Sequence, residues 1–257
     1  MKKLIATILS VFTISVLFAQ NMNSVEADLL KSFSRIQYWA SDGRGQDYSL
    51  DSLLAANQNF EKMLFQVTSK HAASLNHPFK SLVDKGLHIS SAPNGKFRIY
   101  TWNTLTGGSM HFYKNLFQFK AGNQVLSEKD KNEEGDPGVF FRTVNVVHVG
   151  NKDYYLGYQI ALLSSALSYH SMKVFSIDDK SLNSDAKLIK TKTGIRNQLG
   201  YEVDQTKESN SDLPMEQTMI EYDSKHKVIS LPLIQADGKV TDKRIKYQLK
   251  GRYFEKI

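Results

Sequence analysis

The chain has 257 residues, 41% of them hydrophobic and 23% charged, with a formal net charge of +7 and no cysteine. This composition belongs to a globular chain that can bury a core. The missing cysteines exclude disulfides, thiolate catalysis, Cys-based zinc or iron–sulfur sites and a lipid carried on an N-terminal cysteine.

Lys2 and Lys3 precede an uncharged stretch from Leu4 to Phe18, and Ala19 offers a small residue for cleavage. This layout predicts an export signal over residues 1–19, too short and wrongly flanked for a membrane span. The expected product is a soluble periplasmic or secreted protein with no transmembrane segment, and not a lipoprotein. Lys187, Lys190, Lys192, Arg196 and a C-terminal group from Lys239 to Lys256 carry much of the positive excess. Such a surface attracts anions in general or serves as a solvated exterior, and outside the cytoplasm it does not point to nucleic acid.

Residues 20–86 read as a helical segment. Leu29, Leu30, Phe33, Ile36 and Ala40 recur at helical spacing, with Asn23 or Ser24 as cap. Two glycines in Asp42–Asp47 interrupt the pattern. A second helix then follows Ser49 or Asp51, with Leu53, Leu54, Asn57, Phe60, Leu64, Val67, His71 and Leu75 along one side. Pro78 restarts the chain, and Phe79–Lys85 predicts one more short helix before Gly86.

Residues 87–257 change to a period of two and predict an antiparallel β domain. Phe97–Trp102 alternates, as does much of Met110–Phe119, and the glycines of Asn103–Gly108 suit a hairpin turn. Tyr154–Leu163 with Tyr169–Ile177 predicts a second hairpin, and Met219–Tyr222 with Val228–Ile234 a third, its Pro232 marking an edge or a bulge. Ile245–Phe254 reads as one last long strand. Ser127–Gly138 and Thr206–Pro214 read as loops, the second of them mobile. Each hairpin follows a short strand and ends in an apolar strand with a polar turn, and the ends Phe119, Ile177 and Ile234 lie 58 and 57 residues apart. Gly95–Trp102 resembles the blade strands of WD-type repeats. The fold class predicted is therefore α+β, with N-terminal helices packed on an antiparallel β-meander of about nine to eleven strands. A small propeller-like assembly of repeated hairpins is the alternative.

Catalytic and metal motifs are scarce. None of the seven histidines forms a metal-binding pair in sequence, although His111, His148 and His170 fall on expected strands. Asp130–Gly135 resembles the first half of a calcium loop, but the twelfth position is Phe141 rather than glutamate. Gly108-Ser-Met-His111 departs from a nucleophile elbow at its second glycine, and Ser-x-x-Lys at Ser184 and Ser224 is expected by chance. No cofactor or metal is expected.

The most suggestive surface is the first hairpin. Pairing Asn103 with Gly108 would bring Arg98, Tyr100, Trp102, His111 and Tyr113 onto one face, a cationic and aromatic surface of the kind that stacks on sugars or anchors a partner. The same face equally suits burial beneath the helices. The leading functional expectation is an exported, non-catalytic protein binding a glycan, a peptide or an envelope partner. A hydrolase acting on envelope or dietary polymers, and a structural or assembly factor, are the alternatives.

Overall fold

A computed structural model describes residues 22–40, 49–107, 110–131 and 135–257. The export signal expected over residues 1–19 and the glycine-bearing Asp42–Asp47 stretch lie outside them.

Helix α1 covers residues 22–40 and α2 covers Leu50–Lys70. The Ser49 hydroxyl accepts the Ser52 amide and Asp51 sits in the first turn, so cap and helix dipole both favour a start there. Leu53, Ala56, Asn57, Phe60, Leu64 and Thr68 form the buried stripe. Leu54, expected on that stripe, is exposed, and His71 is the C-cap, leaving Leu75 to a following 3₁₀ turn. A short α3 (Lys80–Val83) ends near Gly86, whose φ of 102° suits glycine. Glu26 of α1 joins these pieces, its carboxylate accepting the Ser81 amide at 2.7 Å and meeting His77 Nε2 at 2.6 Å.

The rest is mostly antiparallel β-structure in three open sheets, none of them closed into a barrel. The first is β1 (His88–Ser91), β2 (Phe97–Asn103), β3 (Tyr113–Ala121) and β4 (Gln124–Lys129), in that order. The second runs β11 (Gln198–Asp204), β7 (Leu167–Asp178), β6 (Lys152–Leu162), β5 (Phe140–Val149), with β8 (Ser181–Asn183) also on β7. The third runs β10 (Gly194–Arg196), β9 (Ile189–Thr191), β15 (Tyr253–Lys256), β14 (Val240–Lys250), β13 (Val228–Ile234), β12 (Glu221–Asp223). Its β9–β15 pair is parallel.

The sheets stack because their central strands are apolar on both faces. Every residue of β6 from Tyr155 to Ala161 is buried, and so is β2 from Phe97 to Trp102. A strand buried on both sides needs a layer on each. The helices pack on Tyr100, Trp102 and Leu116 of the first sheet. Phe97, Ile99 and Phe117 on its other face meet Phe141, Tyr155 and Phe175 of the second. Leu156, Tyr158 and Met172 then meet Ile189, Ile229 and Phe254 of the third. Gly157 belongs to the aromatic layer, since a Cβ there would lie 3.1 Å from both Phe141 and Phe175.

The single continuous meander is thus replaced by three separate sheets. The propeller-like alternative also loses its equivalence of units: β11 returns to the second sheet, and the third sheet is six-stranded with a parallel pair. The second and third hairpins form as expected, and the register shifts beside Pro232. Ile245–Phe254 is not one strand, because the chain reverses at Gly251, whose φ is 60°. Thr206–Pro214 is tied down by Asn210. That fully buried side chain donates to the Asp204 and Gly238 carbonyls and accepts the Val240 amide.

Candidate functional site

The expected first-hairpin surface divides in two. Its loop is longer than anticipated, so Asn103 pairs with Tyr113 and Tyr100 with Leu116. This five-residue change in register is odd, and it moves His111 and Tyr113 off the face of Arg98, Tyr100 and Trp102. Those three are 7%, 0% and 1% exposed, and their polar atoms stitch the first sheet to the helices. Arg98 donates to the Ser74 and His77 carbonyls and to Ser91 Oγ. Tyr100 donates to Gln118, and burial pushes its hydroxyl up to about 12. Trp102 donates to Asn57 on α2. His111 is exposed and bonded to Asn103, while Tyr113 lies against Phe140, which in turn meets His88.

The histidine and acidic-loop candidates are not assembled into a site either. His148 pairs across to Asp153 and His170 to Ile160, seven residues apart along β6, or about 23 Å, too far to share a metal. Among the described residues no cluster of three or more His, Asp or Glu could hold a metal ion. Asp130 accepts from Asn115 and the Lys131 amide, and Phe141 is core.

A different site emerges at one end of the second sheet. A cavity of about 320 Å³ opens between the β6–β7 turn and the segment linking β11 to β12. Ile160, Leu162, Val203, Leu213 and Met215 supply apolar walls, and Ser165, Ser168, His170 and Gln205 are among its polar groups. Both rims are held. Ser164 Oγ accepts the Ala166 and Leu167 amides, so the turn closes on itself. The Gln205 amide donates to the Ala166 carbonyl, tying the end of β11 to that turn. Opposite, Tyr201 donates to the Thr218 carbonyl and Thr218 to that of Met215.

His170 forms the floor. Its ring stacks on Tyr201 at 5.6 Å, Nδ1 is 2.8 Å from the Tyr158 hydroxyl, and Nε2 is 3.0 Å from Ser168 Oγ. Burial, with help from the Arg142 guanidinium, holds the imidazole down at about 4, so it is neutral at ordinary pH. Burial pushes Tyr158 up to about 12 and Tyr201 higher still.

Two proton arrangements fit these distances. In one, Ser168 donates to Nε2 and Nδ1–H donates to Tyr158, which leaves the Tyr158 proton without an acceptor in a site where Tyr158 is 0% exposed. Leaving such a donor unmade costs about 1–3 kcal/mol. In the other, Tyr158 donates to Nδ1 and Nε2–H donates to Ser168 Oγ. Every buried proton is then used, and the Ser168 proton alone remains, beside the cavity. The second arrangement is favoured. It matters chemically because a serine nucleophile needs an unprotonated imidazole nitrogen facing it, and here that nitrogen carries the proton.

Arg142 comes from a β-bulge. The β5–β6 register shifts between Phe141 and Thr143, leaving Arg142 as the extra residue, and its Nη1 lies 2.7 Å from Met215 Sδ on the cavity wall. Sequence reasoning singled out His170 among the strand histidines but did not name Ser168, Tyr158 or Arg142 as its partners. The Ser-Tyr-His triplet on a strand puts Ser168 and His170 on one face, but Tyr158 joins them only through the β6–β7 register.

No protein-family model matches the chain, no curated protein matches it, and no solved structure matches it.

Proposed function

We propose that the chain is an exported, non-catalytic binding protein and that the His170 cleft is its ligand seat. The observation that carries this reading is the hydroxyl of Ser168, the one polar group of the Tyr158–His170–Ser168 chain whose proton is unspent, set in a cavity of about 320 Å³ with mixed apolar and polar walls. Small-ligand sites have this character: apolar walls with a few placed polar groups, at volumes of roughly 300–1,000 Å³. A cavity of this size takes a small molecule or the terminal group of a peptide or glycan, rather than the flank of a polymer. Export rests on the Lys2–Ala19 pattern, and among the described residues no helix is long and apolar enough to cross a membrane.

Fragment screening followed by amide-shift mapping tests the seat. Ligand shifts should cluster at Ser164–His170 and Leu213–Thr218, and shifts confined to other surfaces would refute it. Secretion of the full chain from a bacterial host, with N-terminal sequencing of the product, tests the leader. The expected new N-terminus is Gln20, and a cell-retained chain beginning at Met1 would refute export.

A second reading, hydrolysis, draws on the 3.0 Å approach of Ser168 to His170. The proton order argues against it, and the third group is a neutral phenol rather than the carboxylate that would stabilise an imidazolium.

A further inference from the structure

The base of the cleft is electropositive. The Arg142 guanidinium disfavours the His170 imidazolium and works against burial at Tyr158 by favouring its phenolate, and Arg244 does the latter for Tyr158 and Tyr201. Arg244 is already engaged by Glu221, by Ser230 and by the Met219 carbonyl. Arg142 is not. Among the described residues no carboxylate pairs with it, and the neighbour its guanidinium does meet is the Met215 thioether, a weak acceptor on a side chain that is itself 51% exposed. The cleft therefore offers a hydroxyl donor at its floor, a guanidinium behind a half-exposed methionine at its wall, and apolar surface between them. A ligand that satisfies all three has an anionic acceptor at one end and a hydrocarbon body.

We propose that the cleft binds the carboxylate of a small apolar-bodied acid, with Ser168 donating to it, Arg142 supplying the charge, and Leu162, Val203 and Leu213 covering the hydrocarbon. This rests on the cleft being the ligand seat. The donor is pre-aligned. Tyr158 is fixed by burial, His170 by its stack on Tyr201, and the chain of bonds running from Tyr158 to Ser168 polarises each hydroxyl toward the cavity. Charge-assisted bonds to a carboxylate are roughly twice as strong as neutral ones, which separates an acid from an alcohol of the same length. The same chemistry is carried by a free monocarboxylate and by the C-terminal residue of an apolar peptide.

The test is calorimetric titration of the purified protein with octanoate, 1-octanol, acetyl-leucine and acetyl-leucinamide, with amide shifts to locate each. Octanoate is expected to bind about tenfold or more tightly than octanol, with shifts at Ser164–His170 and Leu213–Thr218. Arg142→Gln should remove that preference while leaving octanol unchanged. Ser168→Ala should weaken both probes in a protein that still unfolds cooperatively, with a melting temperature lowered by the lost acceptor of the His170 Nε2–H. If acetyl-leucine outbinds both octanoate and its own amide, the proposal stands and the source is a peptide C-terminus. Equal binding of octanoate and octanol within the cleft overturns the carboxylate and leaves the seat intact. No binding by any probe, or shifts elsewhere, overturns both.

Discussion

His170 gives the sharpest quantitative prediction. Its folded-state pKa of about 4 lies below the ordinary 6.5, because burial and Arg142 disfavour the imidazolium. In the unfolded chain the ring is solvated and titrates near 6.5. Between those values the unfolded state binds a proton that the folded state does not, so stability is full above pH 6.5, declines as pH falls, and levels off once pH passes below 4. At about 1.4 kcal/mol per pKa unit, the whole loss attributable to this one ring is roughly 3 kcal/mol. His88, also lowered chiefly by burial, adds to the decline in the same direction. Urea unfolding of the wild-type chain and of His170→Gln across pH 4 to 8 isolates the His170 share as the difference between the two curves. The variant should be less stable at pH 7 and show a shallower acid decline. Parallel curves would refute the argument, because they would mean that His170 is as easily protonated in the folded protein as in water, and the ordered chain from Tyr158 to Ser168 would fall with it.

Trp102→Ala should cost about 3–5 kcal/mol, since a fully buried indole and its bond to Asn57 are both lost; octanoate binding should be unchanged, and denaturant unfolding with titration checks both. Gly157→Ala forces a methyl against the Phe141 and Phe175 rings at 3.1 Å, and a loss of about 1–3 kcal/mol is expected in thermal or urea unfolding. Ser168 should not react with a fluorophosphonate probe under conditions that label a serine hydrolase; labelling at Ser168, read by peptide mass spectrometry, would show that the imidazole presents an unprotonated nitrogen to it.

The helices and most strands were legible because their patterns are local. Leu53, Phe60 and Leu64 announce α2 by spacing, and alternation announces β2, β6, β7 and β13. What escaped depends on relations that sequence does not carry. The loop from Thr104 to Phe112 is longer than a tight turn, and that alone moved His111 and Tyr113 away from Tyr100. β9 and β10 are three-residue strands with too few positions for a period to show, and β4 is largely polar because it is an edge. The bulge at Arg142 leaves no mark in Phe-Phe-Arg-Thr-Val, although it sets where the guanidinium goes. The aromatic residues on β2 attracted a functional reading for a composition that packing explains just as well. Large amphipathic side chains suit a recognition surface and a layer interface alike, and only the presence of α2 over Trp102 separates the two.

The stacking itself dictates where function can sit. With helices on one face of the first sheet and sheets on both faces of the second, the broad surfaces that β-proteins often use for recognition are consumed by packing. On those two sheets what remains open is the strand ends, where hairpin turns and linkers meet. There the chain has no ladder to complete, so side-chain bonds such as those of Ser164, Asn210 and Thr218 hold the backbone instead. Those bonds leave the geometry firm and the surface available, the combination a binding site needs. The His170 cleft is the place where this end effect coincides with a buried proton chain and a cation that no carboxylate among the described residues pairs with. If Asn210→Ala, which removes a rim anchor without touching the cleft floor, left ligand affinity unchanged, the inference that a fixed rim shapes the site would be wrong.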